Sequence, residues 1–112
     1  MPVLELTTVG RKSGARHTVM LASPVQEGAG WVVVGSCWGA DHHPAWFLNL
    51  RDRPEVEVSV RGEPSRPMRA RIVGADERAR LWPRVVDVYK NYARYQADID
   101  REIPLVVLEP LR

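Results

Sequence analysis

Apolar and polar residues alternate through most of the first two-thirds of the chain, which predicts strands there. Val3 to Thr8 is short, β-branched and apolar, and the glycine-bounded basic loop Val9 to Arg16 follows it. A second strand runs from about His17 to Val25 and ends at the glycine-rich turn 26–30. Trp31 to Ser36 is a continuous apolar run, the pattern of a strand covered on both faces. The loop from Cys37 to His43 comes next, and Pro44 then opens a short helix carrying Ala45 to Leu50, which Pro54 stops. Strand period returns with Val56, Val58 and Val60 on one face and Glu55, Glu57 and Ser59 on the other. Past the turn 62–64, Met68, Ala70 and Ile72 are expected inside and Arg69 and Arg71 outside. Asp76 and Glu77 place carboxylates in the first turn of a helical segment, where the helix dipole favours them. Pro83 predicts a kink or a fresh start in that segment. Leu81, Val85, Val88, Tyr89 and Tyr92 keep helical spacing across it, and Leu105 to Leu108 forms a final strand.

This order, three strands, a short helix, two strands, a helical segment and a strand, predicts a mainly β (α+β) protein. About six mostly antiparallel strands would make a closed or half-closed barrel, which removes exposed edges most simply. At 112 residues the chain reads as one domain, 1–112. No apolar run of about 18 residues exists to span a bilayer, and the first residues lack the basic and long apolar regions of a secretory signal. Cys37 is the sole cysteine, so no intrachain disulfide forms, and a cytoplasmic location is expected. The net charge of +2 does not by itself imply nucleic acid.

Charge is concentrated in one place. Gly10-Arg11-Lys12-Ser13-Gly14, followed by Arg16 and His17, combines turn-forming glycines with two adjacent cations and a hydroxyl. Such a loop supplies amide and charge-assisted donors to an anion. Its spacing matches neither a Walker loop nor a dinucleotide-binding loop. From spacing alone, an anion seat and a solvated basic hairpin tip are equally good readings.

Tyr89, Tyr92 and Tyr95 recur every three residues, so successive rings step by about 60° and share one broad helix face. They could pack a core or close over a planar ligand, offering phenols for proton donation. Trp38, Trp46 and Phe47 lie beside the basic loop in the predicted layout, as core fill or as water-excluding walls. Cys37, His42 and His43 match no zinc spacing and no nucleophile–base arrangement, so no metal site is expected.

Four ordered segments carry a family resemblance. They are Thr7 to Gly14, Ser36 with Gly39, His43 to Leu50, and the tyrosines with Gln96 and Asp100 to Pro104. Together they resemble the deazaflavin-dependent nitroreductase family, in register over nearly the whole chain. That resemblance implies a split β-barrel of FMN-binding type and coenzyme F420 as cofactor, with FMN as the alternative. It implies hydride transfer to a hydrophobic or aromatic acceptor, whether quinone, enone or nitro compound. Carried over residue by residue, Arg11, Lys12 and Ser13 would bind the cofactor's phosphate-bearing tail. His17, Thr18 and Val19, with Ser36 and Cys37, would line its ring and side chain, and Ala45, Trp46 and Phe47 would wall the cleft. Tyr92 would face ring and substrate, with Tyr89, Tyr95 and Ser36 as further catalytic candidates.

The chain departs from the family's pattern at His17, where arginine is frequent, and at Cys37, where lysine is frequent; Arg16 could replace one of these cations in part. Relatives usually carry a helical N-terminal extension, whereas this chain starts at the first strand, so a lid or membrane contact from that extension is not expected. Split barrels frequently pair, so a homodimer and a monomer both fit the sequence, and a quinone acceptor would bring the protein to the membrane periphery. Two other functions compete: a cofactor-sequestering protein with little turnover, and a small barrel binding single-stranded nucleic acid through Arg11, Lys12, Arg16 and exposed tryptophans.

Overall fold

The structure, a computed structural model, describes residues 1–111; Arg112, the last residue of the expected domain, lies outside them. Seven strands form one antiparallel sheet: β1 (Val3–Val9), β2 (Arg16–Ala22), β3 (Val25–Glu27), β4 (Gly30–Val34), β5 (Glu55–Val60), β6 (Arg66–Ile72) and β7 (Leu105–Pro110). Three helices accompany it: α1 (Ala45–Asp52), α2 (Ala75–Val88) and α3 (Asn91–Asp98). The strand order is β2-β1-β5-β6-β7-β4-β3, so the two edge strands are consecutive in sequence. Only Ser23 and Pro24 separate them, and this curls the sheet into a half-barrel.

The expected second strand, His17 to Val25, is therefore two strands. Pro24 has no N–H to give to a ladder, so strand pairing is interrupted there. Ser23 is buried and bridges the break: its N–H donates to Pro2 O at 2.8 Å and its hydroxyl to Val32 O at 2.7 Å.

Two cores occupy the two faces of the sheet. Leu4, Leu6, Val33, Val56, Val58, Val106 and Leu108 fill the barrel interior with Trp46, Phe47 and Leu50 of α1. Val32, Val34, Leu105 and Val107 face the other way, against Leu81 and Val85 of α2 and Tyr92 of α3. Strands β4 and β7 alternate between the two cores. Covered on both faces, they have no polar side to pattern, which explains their unbroken apolar runs.

Two sequence expectations fail locally. Ile72 is 41% exposed, and Val73, just past the strand end, takes the buried place. Pro83 sits inside α2 without ending it. Pro83 and Ala79, whose carbonyl loses its partner, are both exposed, so the proline lies on the solvent side of the helix. Leu81 and Val85, both fully buried, hold the turn from the opposite face. The helix breaks later, at Tyr89 and Lys90, and the new start at Asn91 re-aims the tyrosine-bearing segment.

Candidate functional site

The loop between β1 and β2 is folded tightly on itself. The Gly10 N–H donates to Ala15 O at 2.7 Å and the Gly14 N–H to Gly10 O at 2.9 Å. Gly14 adopts φ +74°, and a Cβ on Gly10 would meet Ser13 Oγ at 2.7 Å and His17 Nε2 at 2.9 Å. Glycine at 14 is thus favoured by backbone conformation, while a side chain at 10 would displace Ser13 and His17. Ser13 Oγ accepts the Ala15 N–H at 3.1 Å, so the hydroxyl helps to shape the turn.

A residue that the sequence reading missed fixes this loop to α1. Asn49, 4% exposed, accepts at Oδ1 from the Arg11 N–H (3.2 Å) and from Arg11 Nη1 (3.0 Å). Its Nδ2 donates to Thr8 Oγ1 at 3.2 Å. The signal was a lone amide in the apolar run Trp46 to Leu50: a buried polar side chain needs partners, and here the partner is the basic loop.

Arg16 pairs with Glu57 across the sheet, so its charge is shared with a carboxylate and it replaces no missing cation in full. Among the described residues, no carboxylate lies within ion-pair distance of Arg11 or Lys12. Thr18 is hydrogen-bonded to Thr7 at 2.7 Å between hydroxyls.

One cavity takes in the loop, and a second lies beside that cavity. The first, about 540 Å³, is lined by Arg11, Lys12, Ser13, His17, Thr18, Val19, Ala45 and Trp46, together with Asn49 and Arg16. The second, about 620 Å³ and mainly apolar, is lined by Ser36, Cys37, Tyr89, Tyr92 and Tyr95, together with Trp38 and Met20. Val19 and Trp46 line both, so the two lie side by side as the adjacent parts of one trough, with these residues at the boundary. Of the candidate residues only Phe47 lines neither. It is 3% exposed and packs in the barrel core against His43 (4.8 Å between centroids) and Trp46 (6.4 Å). Its place in helical register, one residue beyond Trp46, turns it away from the trough.

The three tyrosines meet edge to face, with centroids 5.0 Å apart for Tyr89–Tyr92 and 6.4 Å for Tyr92–Tyr95. Burial pushes the Tyr92 phenol above its ordinary value, with Tyr89 and Tyr95 adding to the effect, so it stays protonated through neutral and mildly alkaline pH. Tyr89 goes the other way. Asn91 Nδ2 donates to its oxygen at 2.8 Å and stabilises the ionised form.

A second missed residue holds the opposite wall. Arg101 donates from Nε to Ala40 O (3.1 Å), from Nη1 to Gly35 O (3.1 Å) and from Nη2 to Ser36 O (2.9 Å). Nη1 also lies 3.1 Å from His43 Nδ1. Burial, then Arg101 and Arg51, lower the His43 pKa, which keeps that nitrogen an acceptor. Its partners lie 58 to 66 residues away, so no local pattern could reveal the clasp.

Between the clasped ends the chain is strained. Cys37 and Trp38 have φ of 49° and 58°, the left-handed region that non-glycine residues enter at a cost of order 1–3 kcal/mol each. Gly39 follows at φ +83°, where a Cβ would meet Tyr95 Cδ1 at 2.9 Å. The wall therefore sits directly on the tyrosine helix.

With this geometry in view, comparison with known proteins is decisive on family. The family described as F420H(2)-dependent quinone reductase matches residues 1–110. A relative from Mycobacterium tuberculosis strain H37Rv, Rv3178, named for that family, is 36% identical over 110 residues, 98% of this chain and 91% of its own length. A solved F420-H2-dependent reductase, FDR-A, superposes with a TM-score of 0.82 at 35% identity, covering 96% of this chain and 94% of that one. A structure described as a domain-swapped dimer matches with the same score and identity, over 96% and 80% of the two chains. The half-barrel with its basic turn and tyrosine helix is thus the split barrel of these reductases, and the chain belongs to the F420H(2)-dependent quinone reductase family, a family of oxidoreductases that use coenzyme F420.

Proposed function

We propose that the chain lays coenzyme F420 along the adjoining cavities and reduces a quinone at the tyrosine end. The observation that carries this reading is that the basic and the apolar cavity adjoin, since Val19 and Trp46 line both.

The donor set suits the coenzyme. Its phosphate and oligoglutamate tail is anionic, and Arg11 and Lys12 are cations with no carboxylate partner among the described residues. In this reading Arg11, Lys12 and Ser13 hold the tail, while His17, Thr18 and Val19 lie along the side chain and ring. Ser36, Cys37, Ala45 and Trp46 flank the ring. When bound and reduced, the coenzyme supplies a hydride to the acceptor. The chain's own work is to orient both molecules, to exclude water with Trp46 and the tyrosines, and to keep a phenol proton at Tyr92 Oη for the reduced acceptor. Enones and nitro compounds, planar and conjugated like quinones, meet the same apolar walls and belong to the proposed acceptor range.

Titrating the protein with coenzyme F420, FMN and a short oligonucleotide at two salt concentrations, then following oxidation of reduced F420 by a naphthoquinone, tests the reading. Expected are F420 binding at least tenfold tighter than FMN, no salt-sensitive oligonucleotide binding, and quinone-dependent turnover. Tyr92→Phe should lower kcat about tenfold, less than the usual loss of a general acid because Tyr89 and Tyr95 stand beside it. Absence of F420 binding would overturn the function, and full turnover by Tyr92→Phe would remove the phenol from it.

The likeness to a domain-swapped dimer leads us to propose a homodimer as well. The edge strand β2 offers an unpaired, largely exposed ladder for such pairing. Light scattering should give about twice the 12.7 kDa chain mass; a mass of one chain at micromolar concentration would refute the assembly.

A further inference from the structure

Trp38 is 88% exposed, the most exposed of the large hydrophobic side chains among the described residues. It also sits at φ 58°, next to Cys37 at φ 49°. An exposed indole gains almost nothing from packing, and a left-handed backbone costs stability at any residue with a side chain. Here both penalties fall on one residue, and Arg101 holds the surrounding loop in the conformation that imposes them.

What this conformation does achieve is placement. It sets the indole on the rim of the apolar cavity, in a lining that also holds Ser36 and the three tyrosines. Met20, 71% exposed, lines the same cavity from β2. Neither residue lines the basic cavity that would take the coenzyme's tail. An exposed aromatic face and a flexible thioether suit one side of a flat, apolar, conjugated ring.

We infer that Trp38, with Met20 lining the same cavity, is an acceptor-recognition residue: it covers the planar ring of the quinone and sets affinity for it, without contributing to coenzyme binding. The inference rests on the F420-dependent reading above and deepens it by assigning the acceptor's contact surface. The strain is kept because it presents the indole to a ligand that arrives from solution.

The test is Trp38→Gly, with Trp38→Phe as companion. Glycine accepts φ near +60° without steric penalty and removes the ring. Expected for Trp38→Gly is a Tm unchanged or a few degrees higher, an F420 Kd within twofold of wild type, and a naphthoquinone KM raised about tenfold with kcat within threefold. Trp38→Phe, which keeps an aromatic face, should hold KM within threefold of wild type. A fall in Tm of more than about 3 °C for Trp38→Gly would show that the indole serves the fold, and would overturn the inference. An unchanged quinone KM would also overturn it, as would an F420 Kd that weakens in step with the quinone KM. Failure of the wild-type protein to bind F420 would instead strike the underlying functional reading, and a direct F420 titration separates that case from the others.

Discussion

Arg11→Ala combined with Lys12→Ala weakens coenzyme F420 binding roughly a hundredfold and leaves Tm almost unchanged. Each cation offers charge-assisted hydrogen bonds, worth about 1.5–3 kcal/mol to a buried anion and less at this open loop, so about 3 kcal/mol is expected for the pair. The fold loses little, because neither side chain is buried and the turn is held by Gly10, Ser13 and Gly14 through bonds that do not use them. Asn49 Oδ1 loses Arg11 Nη1 but keeps the Arg11 backbone N–H, so no buried acceptor is stranded. Fluorescence titration against a melting curve decides the matter, and raising salt should weaken the wild type more than the double variant. A large drop in Tm with unchanged affinity would make the loop structural.

Arg101→Ala lowers stability by about 2–3 kcal/mol, a fall in Tm of roughly 10 °C for a chain of this size. Three backbone carbonyls and His43 Nδ1 lose a half-buried charged donor at once, and the strained residues between them lose the frame that imposes their conformation. Quinone turnover should fall with it, since Ser36 and Trp38 sit on the released loop. Arg101→Lys rescues only partly, because an ammonium cannot span acceptors arranged around a planar fork. The clasp also has a pH signature. The folded state resists protonating His43 below the ordinary 6.5, while the unfolded chain accepts the proton there, so stability falls as pH drops below about 6.5. Arg101→Ala should flatten that slope. An unaltered melting curve for Arg101→Ala would dismiss the clasp.

Local pattern revealed those elements whose physics is local. Alternation at Val56 and Val58 placed β5 correctly because one face of that strand is buried and the other is not. The unbroken run in β4 announced burial on both faces, and two separate cores lie there. The glycines at 10 and 14 announced the turn that forms there. Pattern failed where a distant contact outvoted it. Pro83 sits on the exposed side of α2, and at the break made by Pro24 the Ser23 hydroxyl finds a buried partner on β4. Phe47 looked like a cleft wall beside Trp46, but one step of helix turned it into the core. Asn49 and Arg101 act through partners as many as 66 residues away, beyond any spacing rule. Resemblance to a family supplied the coenzyme and the candidate residues; it did not supply these two supports.

The trough is partitioned by very few side chains. Among the described residues only Val19 and Trp46 border both of its halves, so on the proposed reading the residues that hold the coenzyme's anionic tail are largely distinct from those that meet the acceptor. Sequence drift at Met20 or Trp38 can retune which electron acceptor is taken while the anchoring turn stays untouched. Trp46 has no such freedom, because trimming its indole would disturb anchoring and acceptor choice together.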